Sequence, residues 1–436
     1  SLISYYPHAA WKEAEQSEMY GLSFGDSKTH LILPENCKLA PMRKDFSKGE
    51  WPLQQSKPLP QVPANPNRSE APYPEEFYRW KEFGVLSPET LGNFSWQVCF
   101  DPEKAVDGRV EIGHYHLGFE KIFESKSPMQ ILRSIDSINP LSSPTTGILW
   151  ARLYEEVHGC VIPERAQAIR MVLLELSRVA SHLTILSRMN EKLGYEEAKI
   201  FTDCREKIFE VFESLTGHRQ GFGTITFGGL TCDTPHGWLI QYQRVSDDVT
   251  SMLLLLRKFF LSRKDFQDQL SGPAITSETV LRYSLTGPTL RAAGLNFDLR
   301  KSNPFYFYKD VDFDIPVGVE GKMFDRFLIL MEEVFQSLRI VDQVVDNLPL
   351  GDVLVDPSPH FMNKFSGFSS LSLEAPNGEL GISVQLQSSE EIQRLKILTP
   401  SFSTVQGLNA LSYGLTEAQL PVLIESLGIN RIELDR

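Results

Sequence analysis

VIPERAQAIRMVLLELSRVASHL, residues 161–183, decides the fold. Ile169, Val172, Leu173, Leu176, Val179, Ala180, Leu183 and, just beyond, Leu186 recur at spacings of three and four. That is the period of one helix face. Pro163 suits a first helical turn, where its missing N–H costs nothing. Gly194 supplies a C-terminal stop. The same stretch carries a polar line: Glu175, Arg178 and His182 stack at three and four, with Arg165 and Arg170 upstream. Facing out, the line is a solvated stripe. Facing in, it must be tightly paired, because a lone buried charge costs several kcal/mol. Residue types alone favour the solvated or structural reading.

Three more long helical patterns follow, at about 198–216, 238–260 and 322–347. Four long amphipathic helices imply a bundle. Strand signals flank it. Phe94, Trp96, Val98 and Phe100 alternate with polar or small residues, and a second strand is expected at 109–116 after an Asp107-Gly108 turn. Near the end, 371–374 and 380–386 flank Pro376-Asn377-Gly378, a hairpin signal, with a further strand at 394–398 and helical patterns at 405–412 and 416–427. Residues 52–67 hold five prolines and read as a linker. The expected organisation is a small unit at 1–52, a proline-rich linker at 53–84 and a main body at 85–436. The fold class is α+β: a central helix bundle with small β-sheet regions at both ends.

Composition narrows function by exclusion. The 436 residues hold 43 Lys+Arg against 56 Asp+Glu, a net charge of -13, which argues against a general nucleic-acid binder. The densest apolar run, 252–256, ends at Arg257 and Lys258, far short of a membrane span. The first residues lack the basic and apolar regions of a signal peptide. The expectation is a soluble, intracellular chain. Cys37, Cys99, Cys160, Cys204 and Cys232 form no C-x-x-C pair. Zinc ribbons, iron–sulfur clusters and redox dithiols need such pairs, so these five read as buried or partly buried thiols. No phosphate-binding loop, dinucleotide fingerprint or nucleophile elbow is present, and Gly228-Gly229 is a bare pair.

Two features could carry chemistry. His114 and His116 would point to one side of a strand, but no third ligand is placed to finish a metal site. Asp136 precedes a loop rich in Pro, Ser and Thr at 139–146. Beside apolar chain it could be a proton-handling carboxyl with a raised pKa, or it could cap a helix.

The order of several segments is more specific. HYHLGFEKIFE at 114–124, the stretch at 161–183, FTDCREKIFEVFESLTGHR at 201–219, GPTLRAAGLNFDLRKSNPFYFYKDVDFDIPVG at 287–318, DRFLILMEEVFQSLRIV at 325–341, LKILTPSFSTVQGL at 395–408 and the terminal RIELDR run collinearly. Together they resemble the 49-kDa subunit family of respiratory complex I. Residues 9–24 and 31–46 resemble the C-terminal end of the 30-kDa subunit, as in fused bacterial subunits. The resemblance implies the scaffold of the [NiFe] hydrogenase large subunit, without its paired metal-binding cysteines. No metal is expected. It implies a quinone-reduction pocket shaped beside an iron–sulfur subunit, with electron transfer coupled to ion translocation. No cofactor would be bound by this chain alone: quinone would sit at the interface and the iron–sulfur cluster in the neighbour. Implied partners are that iron–sulfur subunit, any remaining 30-kDa-type subunit and membrane-arm subunits. The implied place is peripheral, on the cytoplasmic side of the inner (plasma) membrane.

The pocket residues depart from the family pattern. The loop at 87–92 reads SPETLG, so both His positions of the family's H-P-x-x-H-G are lost, as Ser87 and Leu91. Ser137, or Pro140 in another register, stands where the family has Tyr after Asp136. The Asp that pairs with the loop His aligns near Lys192. The Arg of L-H-R-G becomes Leu117, and Y-x-R before Gly-Gly becomes Thr224-Ile225-Thr226. The expected pocket region is Thr90, Leu91, His114, Asp136 and Ser137, with Asp136 as the candidate catalytic group. Arg165, Arg170, Glu175, Arg178 and His182 match the family's internal polar helix, which reverses the solvated reading of that line. The alternative is a catalytically degenerate scaffold subunit of an energy-converting hydrogenase-related complex.

Overall fold

A computed structural model describes residues 2–24, 31–33, 39–46, 78–84, 87, 94–361, 365–388 and 391–435. Helices α1, Ala9–Tyr20, and α2, Thr145–His158, precede the long central helix α3, Glu164–Lys192. Pro163 is the N-cap of α3, and Gly194 follows it at φ 77°. Every residue from Ala168 to Ser187 is buried. A helix buried on all sides must be covered by other elements. Helices α4, Ala198–Thr216, α5, Trp238–Ser262, and α6, Met323–Asp346, do much of this, with α6 and α4 packed directly along it. The four long patterns in the sequence are thus the four bundle helices, within two residues at each end.

An antiparallel sheet lies on one side: β1, Arg79–Phe83, β2, Ser95–Asp101, and β3, Lys104–Glu111. The strand expected at 109–116 therefore begins and ends earlier. The hairpin turns at Pro102-Glu103, and Gly108 lies inside β3, opposite Val98. Its missing side chain makes room there for Trp96 and Asn409, whose Oδ1 accepts from the Trp96 indole at 3.0 Å. β1 falls in the stretch read from its prolines as linker.

The second sheet comprises β4, Gly367–Ala375, β5, Gly378–Leu386, and β6, Ile392–Leu398. Its two-residue turn is Pro376-Asn377, since Ala375 pairs with Gly378. Of the later helical patterns, 405–412 divides at Gly407 into Pro400–Gln406 and Leu408–Ser412. The pattern at 416–427 opens as a 3-10 turn, Glu417–Gln419, before Leu420–Ser426.

The first residues pack on this second sheet. Trp11 meets Phe402 edge to face at 5.5 Å, Lys396 pairs with Glu15 at 2.7 Å, and Arg394 donates to the Met42 carbonyl at 2.6 Å. Gly228 and Gly229 adopt φ of 86° and 146°, which lets the carbonyls of Val355 and Val353 approach where any Cβ would sit. Cys99, Cys160 and Cys204 are buried and Cys232 is half-buried, all as free thiols; Cys37 lies outside the described residues.

Candidate functional site

The loop read as 139–146 is short turns, Ile135–Ile138 and Pro140–Ser142, running into α2 at Thr145. Asp136 is buried and its Oδ1 accepts the Gly147 N–H at 2.7 Å, in the first turn of α2. It thus caps a helix across the loop. Gly147 has to be glycine: a Cβ would lie 2.7 Å from Asp136 Oδ2. Burial pushes the Asp136 carboxyl up to about 7, against the Gly147 N–H that favours its charged form. The capping contact is thus present, and the carboxyl also has the raised affinity that proton handling would need. On the same loop the hydroxyls of Ser142, Ser143, Thr145 and Thr146 are buried with no hydrogen-bond partner among the described residues.

The C-terminal segment closes onto this loop. Glu433, fully buried, accepts from Asn139 Nδ2 at 2.7 Å, Asn377 Nδ2 at 3.1 Å and the Ser401 N–H at 3.0 Å. Asn430 Nδ2 donates to Asn139 Oδ1, and the Asn430 N–H donates to Ser401 Oγ at 2.9 Å. Two residues on from Glu433, Asp435 accepts the N–H groups of Gly113 and Tyr115, both at 2.9 Å. Burial raises the Asp435 carboxyl, with these two bonds opposing. One short tail thus ties together the loop, the hairpin tip and the 113–115 turn. A narrow crevice beside it is lined by Asn139, Leu141, Ser181, Ile185, Arg188 and Asn430.

The other expected pocket residues are dispersed. His114 and His116 follow β3 in a turn rather than sharing a strand face, and His114 is exposed. Ser137 is exposed, its Oγ donating to the Ser134 carbonyl at 2.5 Å. Thr90 and Leu91 lie outside the described residues. Among the described residues no group of three or more His, Cys, Asp or Glu side chains could hold a metal ion.

The polar line of α3 faces inward, as the family resemblance implies and against the reading from residue types alone. Glu175 accepts from Arg178 Nε at 3.3 Å, Arg300 Nη1 at 3.0 Å, Ser337 Oγ at 2.7 Å and Tyr308 OH at 2.6 Å. Burial would raise its carboxyl, but Arg300 and Arg178 outweigh burial and hold it low. His182 Nε2 lies 2.8 Å from Glu333 Oε2, and Arg291 Nε donates to Glu333 Oε1 at 2.6 Å. Burial opposes ionisation of Glu333, yet Arg291 and His182 bring it down to about 2.

Arg170 belongs to a separate pair. It grips Glu155 of α2 through two bonds of 2.7 and 2.8 Å and also bonds Tyr306 OH and the carbonyls of Thr226 and Gly229. Arg165 joins neither cluster. It sits half-buried at the helix start, bound to Asp233 at 2.9 Å and to the Pro349 carbonyl.

The sequence pattern described as respiratory-chain NADH dehydrogenase, 49 Kd subunit, matches residues 198–370 and 362–436. The D-type NADH-quinone oxidoreductase subunit of Bacillus cereus is 32% identical over 354 residues, 81% of this chain and 97% of that protein. The chain belongs to the 49-kDa subunit family of the respiratory-chain NADH dehydrogenase. The pattern of the 30 Kd subunit matches residues 1–51. Fused relatives follow the same order. The C/D-type NADH-quinone oxidoreductase subunit of Bdellovibrio bacteriovorus is 30% identical over 467 residues, 100% of this chain and 82% of that protein. Its counterpart in Acidiphilium cryptum is 29% identical over 480 residues, 100% of this chain and 80% of that protein.

Within the 49-kDa family frame, the departures differ in kind. Lys192 and Leu117 are exposed. Thr224 is buried with its hydroxyl unpartnered among the described residues, and Thr226 contributes its carbonyl to Arg170. Reading the residues one by one missed Asn139, Glu155, Asn430, Glu433 and Asp435. The one available signal was the RIELDR tail, whose acids alternate with apolar Ile432 and Leu434.

Proposed function

We propose that this chain is the peripheral-arm subunit of an NADH:quinone oxidoreductase that shapes the quinone-reduction pocket beside an iron–sulfur subunit and couples electron arrival to ion translocation. The observation that carries the reading is Asp136: a carboxyl buried in a loop tied to the C-terminal tail, which burial pushes up to about 7. Quinone reduction consumes two electrons and two protons. Electrons would come from the neighbouring subunit's iron–sulfur cluster; this chain would supply one proton from the Asp136 carboxyl, whose affinity suits transfer near pH 7, and solvent would supply the second and reprotonate Asp136. The unpartnered hydroxyls at 142–146 are donors for a carbonyl oxygen of the quinone head. With Ser137 turned to the Ser134 carbonyl, the proton role falls to Asp136 rather than to a phenol.

The scaffold reading is that of the [NiFe] hydrogenase large subunit: the early loop and the C-terminal tail meet, with Asn139 and Glu433 rather than thiolates at the junction. The subunit would act peripherally on the cytoplasmic face of the membrane, against membrane-arm subunits and the remainder of a 30-kDa-type unit. No helix among the described residues is long and apolar enough to cross a membrane. The relatives, named as NADH-quinone oxidoreductase subunits, do not favour the degenerate-scaffold alternative. Reconstitution with the partner subunits tests the proposal. Inhibitor-sensitive NADH:quinone turnover is expected; near-zero turnover from an intact assembly would contradict it.

A further inference from the structure

The inner network around α3 does not balance its charges. It holds four carboxylates, on Glu175, Asp298, Glu333 and Glu374, all buried. Against them stand three guanidiniums, on Arg178, Arg291 and Arg300, also buried. Arg178 and Arg300 meet Glu175, Arg300 and Arg291 meet Asp298, and Arg291 meets both Glu333 and Glu374. A closed buried cluster with one surplus negative charge is costly, so a proton is expected somewhere within it.

His182 is the obvious holder, but its geometry is wrong. Its Nε2 faces Glu333, while Nδ1 is buried without a hydrogen-bond partner among the described residues. A protonated ring would strand an N–H donor there. The neutral ring with its hydrogen on Nε2 strands only a lone pair, the cheaper orphan. Burial also lowers the affinity of His182 for a second proton, although Glu333 opposes this. Glu175 is excluded because two guanidiniums, on Arg178 and Arg300, reach its Oε2 together with Ser337 and hold the group ionised. Glu333 accepts from Arg291 and His182 on opposite oxygens.

Asp298 and Glu374 remain. Glu374 Oε1 accepts from Arg291 Nη1 at 2.7 Å, and Asp298 Oδ2 lies 3.4 Å from the same nitrogen. Two acids thus share one donor. Asp298 has four further bonds from Arg300: its N–H at 2.8 Å and Nε at 3.0 Å to Oδ1, and Nε at 3.2 Å and Nη2 at 2.7 Å to Oδ2. Glu374 Oε2 accepts the weaker Leu299 N–H, at 3.2 Å. The groups facing Glu374 are Arg291 from Gly287–Ala292, Asp298 and Arg300 at Leu299–Ser302, and Arg178 from α3, which donates to the Glu374 carbonyl rather than to its side chain.

We propose that a single buried proton neutralises the Asp298–Glu374 pair, resident on Glu374, beside the turn of the β4–β5 hairpin. The direction of the Glu374 shift, upward through burial and then through Asp298, agrees with this. Three residues along the chain, Asn377 grips Glu433 at the loop–tail junction. The proton therefore sits in the element whose tip closes the candidate site. Its loss leaves a carboxylate behind. This holds whether or not the quinone reading does.

The test compares the full-length wild-type chain with Glu374→Gln, Glu333→Gln and His182→Gln. Infrared spectra in H2O and D2O at pH 8 are expected to show, beside the weak signal of Asp136, a protonated-carboxyl C=O band in the wild type that is absent from Glu374→Gln. A glutamine amide mimics a protonated carboxyl, so Glu374→Gln should melt within a few degrees of wild type. Glu333→Gln removes a real charge and should lower the melting temperature several-fold more. Because the folded affinity of Glu374 is raised, its contribution is present below the ordinary Glu range and lost as pH rises. The alkaline fall in melting temperature should therefore flatten in Glu374→Gln. Survival of that band in Glu374→Gln, its loss only in His182→Gln, or a Glu374→Gln chain that melts like Glu333→Gln or fails to fold would each overturn the proposal.

Discussion

Arg178 is almost fully buried, and its guanidinium reaches the carbonyls of Ala375 and Glu374 at 3.0 and 2.6 Å as well as Glu175. Truncation to alanine would leave one carboxylate short of a partner and two carbonyls bare. Arg178→Ala is expected to destabilise the fold by about 3–5 kcal/mol, read from denaturant unfolding. Unchanged melting would mean that the line is solvated. The spacing of Glu175, Arg178 and His182 was legible in the sequence. Their direction was not, because a solvated stripe and a buried network have the same spacing. Arg300 lies 125 residues from Glu175, and Glu333 lies 151 residues from His182, so only folding brings these partners together. Asp136 was legible as an alternative between capping and proton handling. Seeing the cap required Gly147, eleven residues on, to be folded onto the carboxyl, and seeing the raised affinity required its burial. A folded value near 7 lies above the ordinary carboxyl range, so the contribution of Asp136 to stability is full below about pH 4. It is lost as pH rises through 7.

The bundle helices announced themselves through their period and their punctuation, Pro163 at one end and Gly194 at the other. Helix α2 did not. Its Ile148, Leu149, Leu153 and Val157 carry a helical period, but the Pro- and Ser-rich residues before it read as a loop running into it. Strand β3 was displaced because Asp107-Gly108 has turn chemistry, whereas the chain continues extended through it to pair with β2. The tail was invisible as an element: four helical residues, Arg431–Leu434, are too few for any periodicity. Its importance comes from its contacts. Glu433→Ala should release Asn139, Asn377 and the Ser401 N–H together, each losing a charged acceptor worth about 1.5–3 kcal/mol. The expected outcome is a loss of several kcal/mol on unfolding, with early proteolytic cleavage at 135–146. A Glu433→Ala chain as protease-resistant as wild type would show that the tail is not the clamp.

At the scale of the whole molecule, the fold class and the four-helix core were legible, and the matches to known proteins agree with the family resemblance. The first residues were read as a separate unit, yet they pack on β6 and its surroundings through Trp11, Glu15 and Met42. Proline content reports on local backbone and cannot say where the chain returns to. In the proposed assembly the loop–tail junction holds Asp136 as the proton donor for quinone reduction. The most direct test is the pH profile of quinone-reductase turnover in the reconstituted complex, wild type against Asp136→Asn. Asparagine caps a helix as well as aspartate does, so the fold should be retained. Wild-type turnover is expected to fall as pH rises through 7, with Asp136→Asn at least tenfold slower and flat across the same range. Equal turnover with an unchanged profile would contradict that role.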